Sequence, residues 1–178
     1  MHIDKKFDKI NDIIRSGEKN MLLYHGSNIE VLSPQILESD RRLDFGKGFY
    51  LTSSYEQAKR WAELTVKRRG SGKESVSVFE FDESSASDLN ILHFTQAQKE
   101  WLEYVAMNRK NQTIPDDNYD IVIGPVANDR TMPVISLYFA EIYNIEETIK
   151  RLMPQKLCDQ YTFRTEKAIK KLNFLEVK

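Results

Sequence analysis

The sequence predicts an α+β fold. Apolar, β-prone stretches and helical stretches follow one another without the strand–helix–strand rhythm of a parallel sheet. Two glycine-marked turns, one at Gly26 and one at Gly46 and Gly48, sit beside short apolar strands. No repeat, low-complexity tract or linker divides the 178 residues, of which 40% are hydrophobic and 30% charged, so one core is expected.

The elements read as follows. Phe7, Ile10, Ile13 and Ile14 fall at helical spacing between Asp4 and Ser16, with Gly17 after them. That predicts a helix and an N-terminal helical extension over 1–20, ahead of a main domain over 21–178. Met21 to Tyr24 is a buried strand ending at His25-Gly26. Asn28 to Lys47 is irregular, and Phe49 to Thr52 is short and β-prone. Ser53, with Glu56 three residues on, opens a helix as a capping box; Tyr55, Ala58, Trp61, Ala62 and Thr65 form its inner face. "SVSVFEF" is a strand. Thr95 and Gln98 open a helix with Trp101, Leu102, Val105 and Ala106 on one face. "YDIVIGPV" is a central strand broken by Gly124-Pro125. Val134 to Leu152 is helical with a break near Asn144. "QYTFRT" is a strand, Glu166 to Leu172 a helix, and "NFLEV" a closing strand.

Composition narrows the function classes. A net charge of −1 gives no global field for nucleic acid or an anionic membrane. No apolar run reaches membrane-spanning length, and the N-terminus lacks a signal-peptide core. Cys158 is the one cysteine, so no intrachain disulfide forms; together these predict a cytoplasmic protein. The three histidines lack metal-ligand spacing, so no metal is expected. "RRGSGK" is not a P-loop, and no G-x-S-x-G elbow is present.

His25 stands directly after an apolar strand and directly before Gly26, where a glycine lets the main chain approach a flat polar ligand. The ordinary alternative is a turn histidine. Tyr50 follows Gly48 by two residues, and Trp61 lies on the next helix, where it is either core or the cover of a ring. Asn128, Asp129 and Arg130 form a polar loop after a buried strand. It is either a solvated turn or a rim contact, with Arg130 the best anion ligand.

"LLYHGS" followed by "FGKGFYLTSSYEQAKRWA" resembles the NAD-binding signature of the ADP-ribosyltransferase superfamily, in its diphtheria-toxin and poly(ADP-ribose) polymerase branch. The resemblance covers the three core strands, from Leu22 to about Phe163. It implies a split, mostly antiparallel sheet with flanking helices around an NAD cleft. By that resemblance His25 would bond the adenosine ribose, and the Gly26 main chain would clasp the nicotinamide amide. Ser27 and Gly48 would be further NAD contacts. Tyr50 would pack on nicotinamide, with Trp61 on the ring's other face. His25, Tyr50 and Gln160 would be the catalytic triad.

Two positions depart from that pattern. Gln160 stands where the superfamily carries Glu, which keeps a hydrogen bond but adds no charge against a developing cation. On that ground Gln160→Glu is expected to retain or raise NAD⁺ hydrolysis. Ala58 stands where relatives place a carboxamide-binding Ser. Glu166 and the 128–130 loop are the fallback candidates for rim or acceptor contacts.

The implied activity is single ADP-ribose transfer from NAD⁺, as co-substrate, to a protein or nucleic-acid acceptor. By analogy this suits a bacterial toxin or antiphage effector, with an antitoxin as partner in the first case. The rivals are an NAD- or ADP-ribose-binding pseudoenzyme and an RNA 2′-phosphotransferase-like enzyme.

Overall fold

The computed structural model describes residues 20–36, 42–128 and 130–178. The helix expected over Asp4 to Ser16 and the candidate Asp129 lie outside the described residues.

The α+β expectation is met by two mostly antiparallel sheets. In the first, β1 (Asn20–Ser27), β3 (Ser75–Asp82) and β7 (Leu172–Val177) lie in the order β1-β3-β7. In the second, β2 (Phe49–Leu51), β6 (Asp159–Phe163), β5 (Ile121–Pro125) and β4 (Ile91–His93) lie in the order β2-β6-β5-β4, with β4–β5 the parallel pair. The described residues also form five α-helices, α1 (Tyr55–Arg69), α2 (Lys99–Arg109), α3 (Met132–Phe139), α4 (Ile145–Leu152) and α5 (Glu166–Ile169), and a 3-10 turn at Glu83–Ala86.

Strand alternation sorts the residues into layers. Leu23, Phe79 and Phe81 turn inward to meet Phe49, Leu51, Ile121 and Phe163 of the second sheet. The other face of the first sheet carries Tyr24, Gly26, Val76 and Val78, paired across β1 and β3, and α1 covers it. Tyr24 meets Tyr55 of α1 edge-on, with ring centroids 5.7 Å apart. The outer face of the second sheet packs Val122 against Trp101, Leu102, Val105, Ile135 and Leu152, from α2, α3 and α4.

Several expected boundaries shift for local reasons. β1 runs on through His25 and Gly26, because β3 continues to pair with it as far as Ser75. β5 is not broken by Gly124-Pro125: Pro125 takes the last pairing position, opposite Asp159, where a missing N–H is tolerated. The N-cap of α1 is Ser54, whose Oγ accepts from Gln57 N at 3.2 Å, so the capping box expected at Ser53 does not form. Ser53 is instead held by Asp159, through its main-chain N at 2.9 Å and its hydroxyl at 2.6 Å. The break expected near Asn144 is present, dividing the stretch into α3, which ends at Phe139, and α4, which starts at Ile145. Asn144 caps the second by accepting from Glu147 N at 2.9 Å. α5 ends at Ile169, before the expected Leu172.

Candidate functional site

Among the described residues, the main chains of the two sheets are joined by one antiparallel bridge, Tyr24 to Thr52. Tyr24 N donates to Thr52 O at 2.8 Å, and Thr52 N donates to Tyr24 O at 3.0 Å. In an antiparallel ladder the next bonded pair lies two residues along each strand, which here is Gly26 with Tyr50. That pair does not close among the described residues. The His25 ring takes the place of the missing rung: its Nδ1 lies 2.7 Å from Tyr50 O. His25 also stacks on Phe49, with ring centroids 4.3 Å apart and planes at 26°. The strands part at this point.

The main chain of Gly26 is left facing the gap. Its partner across the first sheet is Val76, whose N–H and C=O are both engaged by Lys178, at 2.9 and 2.8 Å. Gly26 therefore turns its own N–H and C=O away from β3, as Tyr24 does two residues earlier. On the α1 face, a Cβ added at Gly26 would stand 1.8 Å from Ala58 O and 2.9 Å from Ala62 N. Glycine is required here by the close approach of the helix.

The ring chemistry follows from these partners. A carbonyl can only accept, so His25 Nδ1 carries the proton and donates to Tyr50 O. Burial lowers the His25 pKa below its usual value, against the opposing pull of that carbonyl. The neutral ring then presents Nε2 as an acceptor. The Tyr50 hydroxyl donates to Gly46 O at 2.6 Å and accepts from Phe45 N at 3.1 Å. Burial, reinforced by the charge of Asp44, pushes the Tyr50 pKa far up. Tyr50 thus offers the site an aromatic ring and not an acid or a base. Gly46, at φ 73°, makes the turn that receives the phenol. Behind that turn Arg164 pairs with Asp117 through two contacts of 2.7 Å, and Asp117 accepts from Tyr104 at 2.7 Å.

Gln160 lies on β6 opposite Gly124 and is 2% exposed. Its Nε2 donates to Asp44 Oδ2 at 3.2 Å. Asp44, 4% exposed, also accepts from Arg109 Nε at 2.6 Å and from Ala127 N at 3.1 Å. A cavity of about 680 Å³ spans these groups, within the range of small-molecule sites. The expected site residues His25, Gly26, Ser27, Gly48, Tyr50, Trp61, Asn128 and Gln160 all line it. Arg130 and Glu166 are not among its lining residues. Arg130 is exposed beyond the Asn128 turn, and Glu166 stands in the first turn of α5. The Asn128 amide oxygen is spent on that turn, accepting from Arg130 N at 2.9 Å.

Sequence reasoning missed Asp44, Arg109 and the arginines of α1. Gln57, Arg60, Trp61, Leu64, Thr65 and Arg68 recur at three- and four-residue steps, with Arg69 beside them, and all line the cavity. That stripe was readable from helical spacing once α1 was placed. Among the described residues no group of His, Cys, Asp and Glu could hold a metal ion, and no helix is long and apolar enough to cross a membrane.

The fold and the cleft define an α+β protein whose two sheets part beside a cavity lined by both polar and apolar side chains. The chain belongs to the family described as protein of unknown function (DUF3990), whose model matches residues 21–174. No curated protein matches it.

Proposed function

We propose that the chain transfers one ADP-ribose unit from NAD⁺ to a macromolecular acceptor and releases nicotinamide. The observation that carries this reading is the parted rung between β1 and β2. There one glycine offers an N–H and a C=O side by side, and a neutral imidazole offers an acceptor. A primary carboxamide is the complementary group, because it donates and accepts in one plane. The Tyr50 and Trp61 rings, both at the cavity wall, suit the two faces of a flat cationic ring. His25 Nε2 would accept from a ribose hydroxyl. Arg60, Arg68 and Arg69 would carry the diphosphate, since guanidinium forks match phosphate oxygens.

In this reading the bond between ribose C1′ and the nicotinamide nitrogen breaks, and its electron pair leaves on nicotinamide. A lone pair of the acceptor's oxygen or nitrogen then bonds to C1′, and the acceptor's proton passes to water. The chain's residues orient the ring and the ribose so that C1′ is open on one face, which is where positioning acts on the barrier.

The arginines also favour a second reading, removal of a 2′-phosphate from RNA with NAD⁺ as co-substrate. Arg60, Arg68 and Arg69 of α1 all line the same cavity, where a phosphate would need cationic partners. Incubation with NAD⁺ labelled in the adenylate half, in cell extract and separately with 2′-phosphorylated RNA, distinguishes the two. Label on protein or nucleic acid in extract supports transfer, and loss of the RNA 2′-phosphate supports the second reading. Unchanged NAD⁺ under both conditions removes both.

A further inference from the structure

Gln160 is the position where the proposed chemistry lacks a negative charge, and its surroundings address that lack. Gln160 and Asp44 are both almost wholly buried, and they touch at 3.2 Å. A carboxylate accepts and never donates, so the end of the Gln160 amide facing Asp44 must be the NH₂. The amide oxygen is then the end left for the cavity that Gln160 lines. It has no partner among the described residues, and it is not one of the fully buried polar atoms that lack one. Asp44 is itself fixed from three directions: Arg109 on Oδ1, and Ala127 N and Gln160 on Oδ2. It cannot turn away without leaving Arg109 uncompensated.

We infer that Asp44 and Gln160 form one composite hydroxyl-binding site for the ribose. Gln160 supplies the acceptor oxygen, and Asp44 supplies both its orientation and the negative charge. The inference rests on the ADP-ribosyl transfer reading. The amide oxygen takes a ribose hydroxyl proton as a hydrogen bond, and the carboxylate behind it strengthens that acceptor. A carboxylate one residue removed thereby does what a glutamate would do directly. Asp44 touches no substrate in this scheme, so it is a positioning residue.

The pairing changes what Gln160→Glu should do. With Asp44 in place, that substitution sets two carboxylates about 3 Å apart in a buried site, where both do not ionise readily. Restoring the charge at position 160 requires removing it at position 44. The test compares wild type, Asp44→Asn, Gln160→Glu and the double variant by thermal melting and by nicotinamide release from NAD⁺, with kcat and KM separated.

Gln160→Glu should melt about 6–20 °C below wild type, given the usual penalty for an uncompensated buried charge. The double variant should regain most of that difference. In release, each single variant should lose about 10²-fold or more, chiefly in kcat. The double variant should recover at least about tenfold over either single, short of wild type because Ala127 N loses its acceptor. Singles whose losses simply add in the double, in both measurements, would overturn the pairing. So would a Gln160→Glu variant with wild-type melting and release. A wild type that releases no nicotinamide removes the transfer reading and the ribose role together. The melting comparison, which needs no NAD⁺, then decides the Asp44–Gln160 pairing alone.

Discussion

Gly26→Ala tests whether α1 and the open strand edge are built around the same residue. The added methyl would meet Ala58 O at 1.8 Å, Ala58 C at 2.7 Å and Ala62 N at 2.9 Å. These are main-chain atoms in the body of a helix, so no side chain can swing aside. α1 would have to withdraw by about 1.2 Å to bring the nearest contact to 3.0 Å, the shortest that real Cβ atoms show. Ala58 and Ala62, both 0% exposed, would lose contact with the first sheet. Overpacking of this kind costs about 1–3 kcal/mol and at times more. At 2–4 °C per kcal/mol for a chain of this size, a 3 kcal/mol loss lowers the melting temperature by about 6–12 °C. Gly70→Ala is the control. Gly70 has φ +63° but nothing within 4 Å of an added methyl, so its cost is conformational alone, about 1 kcal/mol. The assay is thermal melting by circular dichroism. A Gly26→Ala protein melting within about 2 °C of wild type, or above the Gly70→Ala protein, would refute the close packing of α1 on β1.

Three further outcomes are expected. Because burial holds His25 neutral, the unfolded chain takes up a proton that the fold resists. Stability should therefore fall as pH drops below about 6.5, the unperturbed histidine value. His25→Asn should flatten the fall in melting temperature between pH 7.5 and 5, and equal slopes for the two proteins would refute it. Asp117→Asn breaks the double contact with Arg164 behind the Gly46 turn and should destabilise by about 1–3 kcal/mol in urea unfolding; an unchanged midpoint would count against that support. Nicotinamide should quench tryptophan emission in wild type and much less in Trp61→Phe, since Trp101 is fully buried with its Nε1–H on Pro125 O at 2.9 Å. Quenching that survives in Trp61→Phe would place Trp61 outside the ring site.

The sequence made the strands and helices with a clear period legible. His25, Gly26 and Tyr50 stood out beside glycines and Trp61 on a helix face, where local pattern and turn chemistry agree. Gln160 was singled out only by the resemblance to the ADP-ribosyltransferase superfamily, not by local pattern. β4 was not legible, because three residues, Ile91–His93, are too few to show alternation. Asp44 was not legible for a different reason. It stands between Leu43 and Phe45 in an irregular segment, and its meaning comes from Arg109, Ala127 and Gln160, all more than 60 residues away in sequence. An acidic residue flanked by two apolar ones was the available signal, and it has no specificity by itself. The gap between β1 and β2 was likewise hidden, since a rung that fails to form leaves no mark on composition or period.

The central claim is that NAD⁺ lies in that gap with its carboxamide on the Gly26 main chain. The most direct measurement is a crystal structure of the protein soaked with nicotinamide or with a non-hydrolysable NAD⁺ analogue. The amide nitrogen and oxygen should lie within hydrogen-bond distance of Gly26 O and N, with the ring against Tyr50. A ring bound elsewhere in the cavity, or a gap left empty at saturating ligand, would contradict the claim.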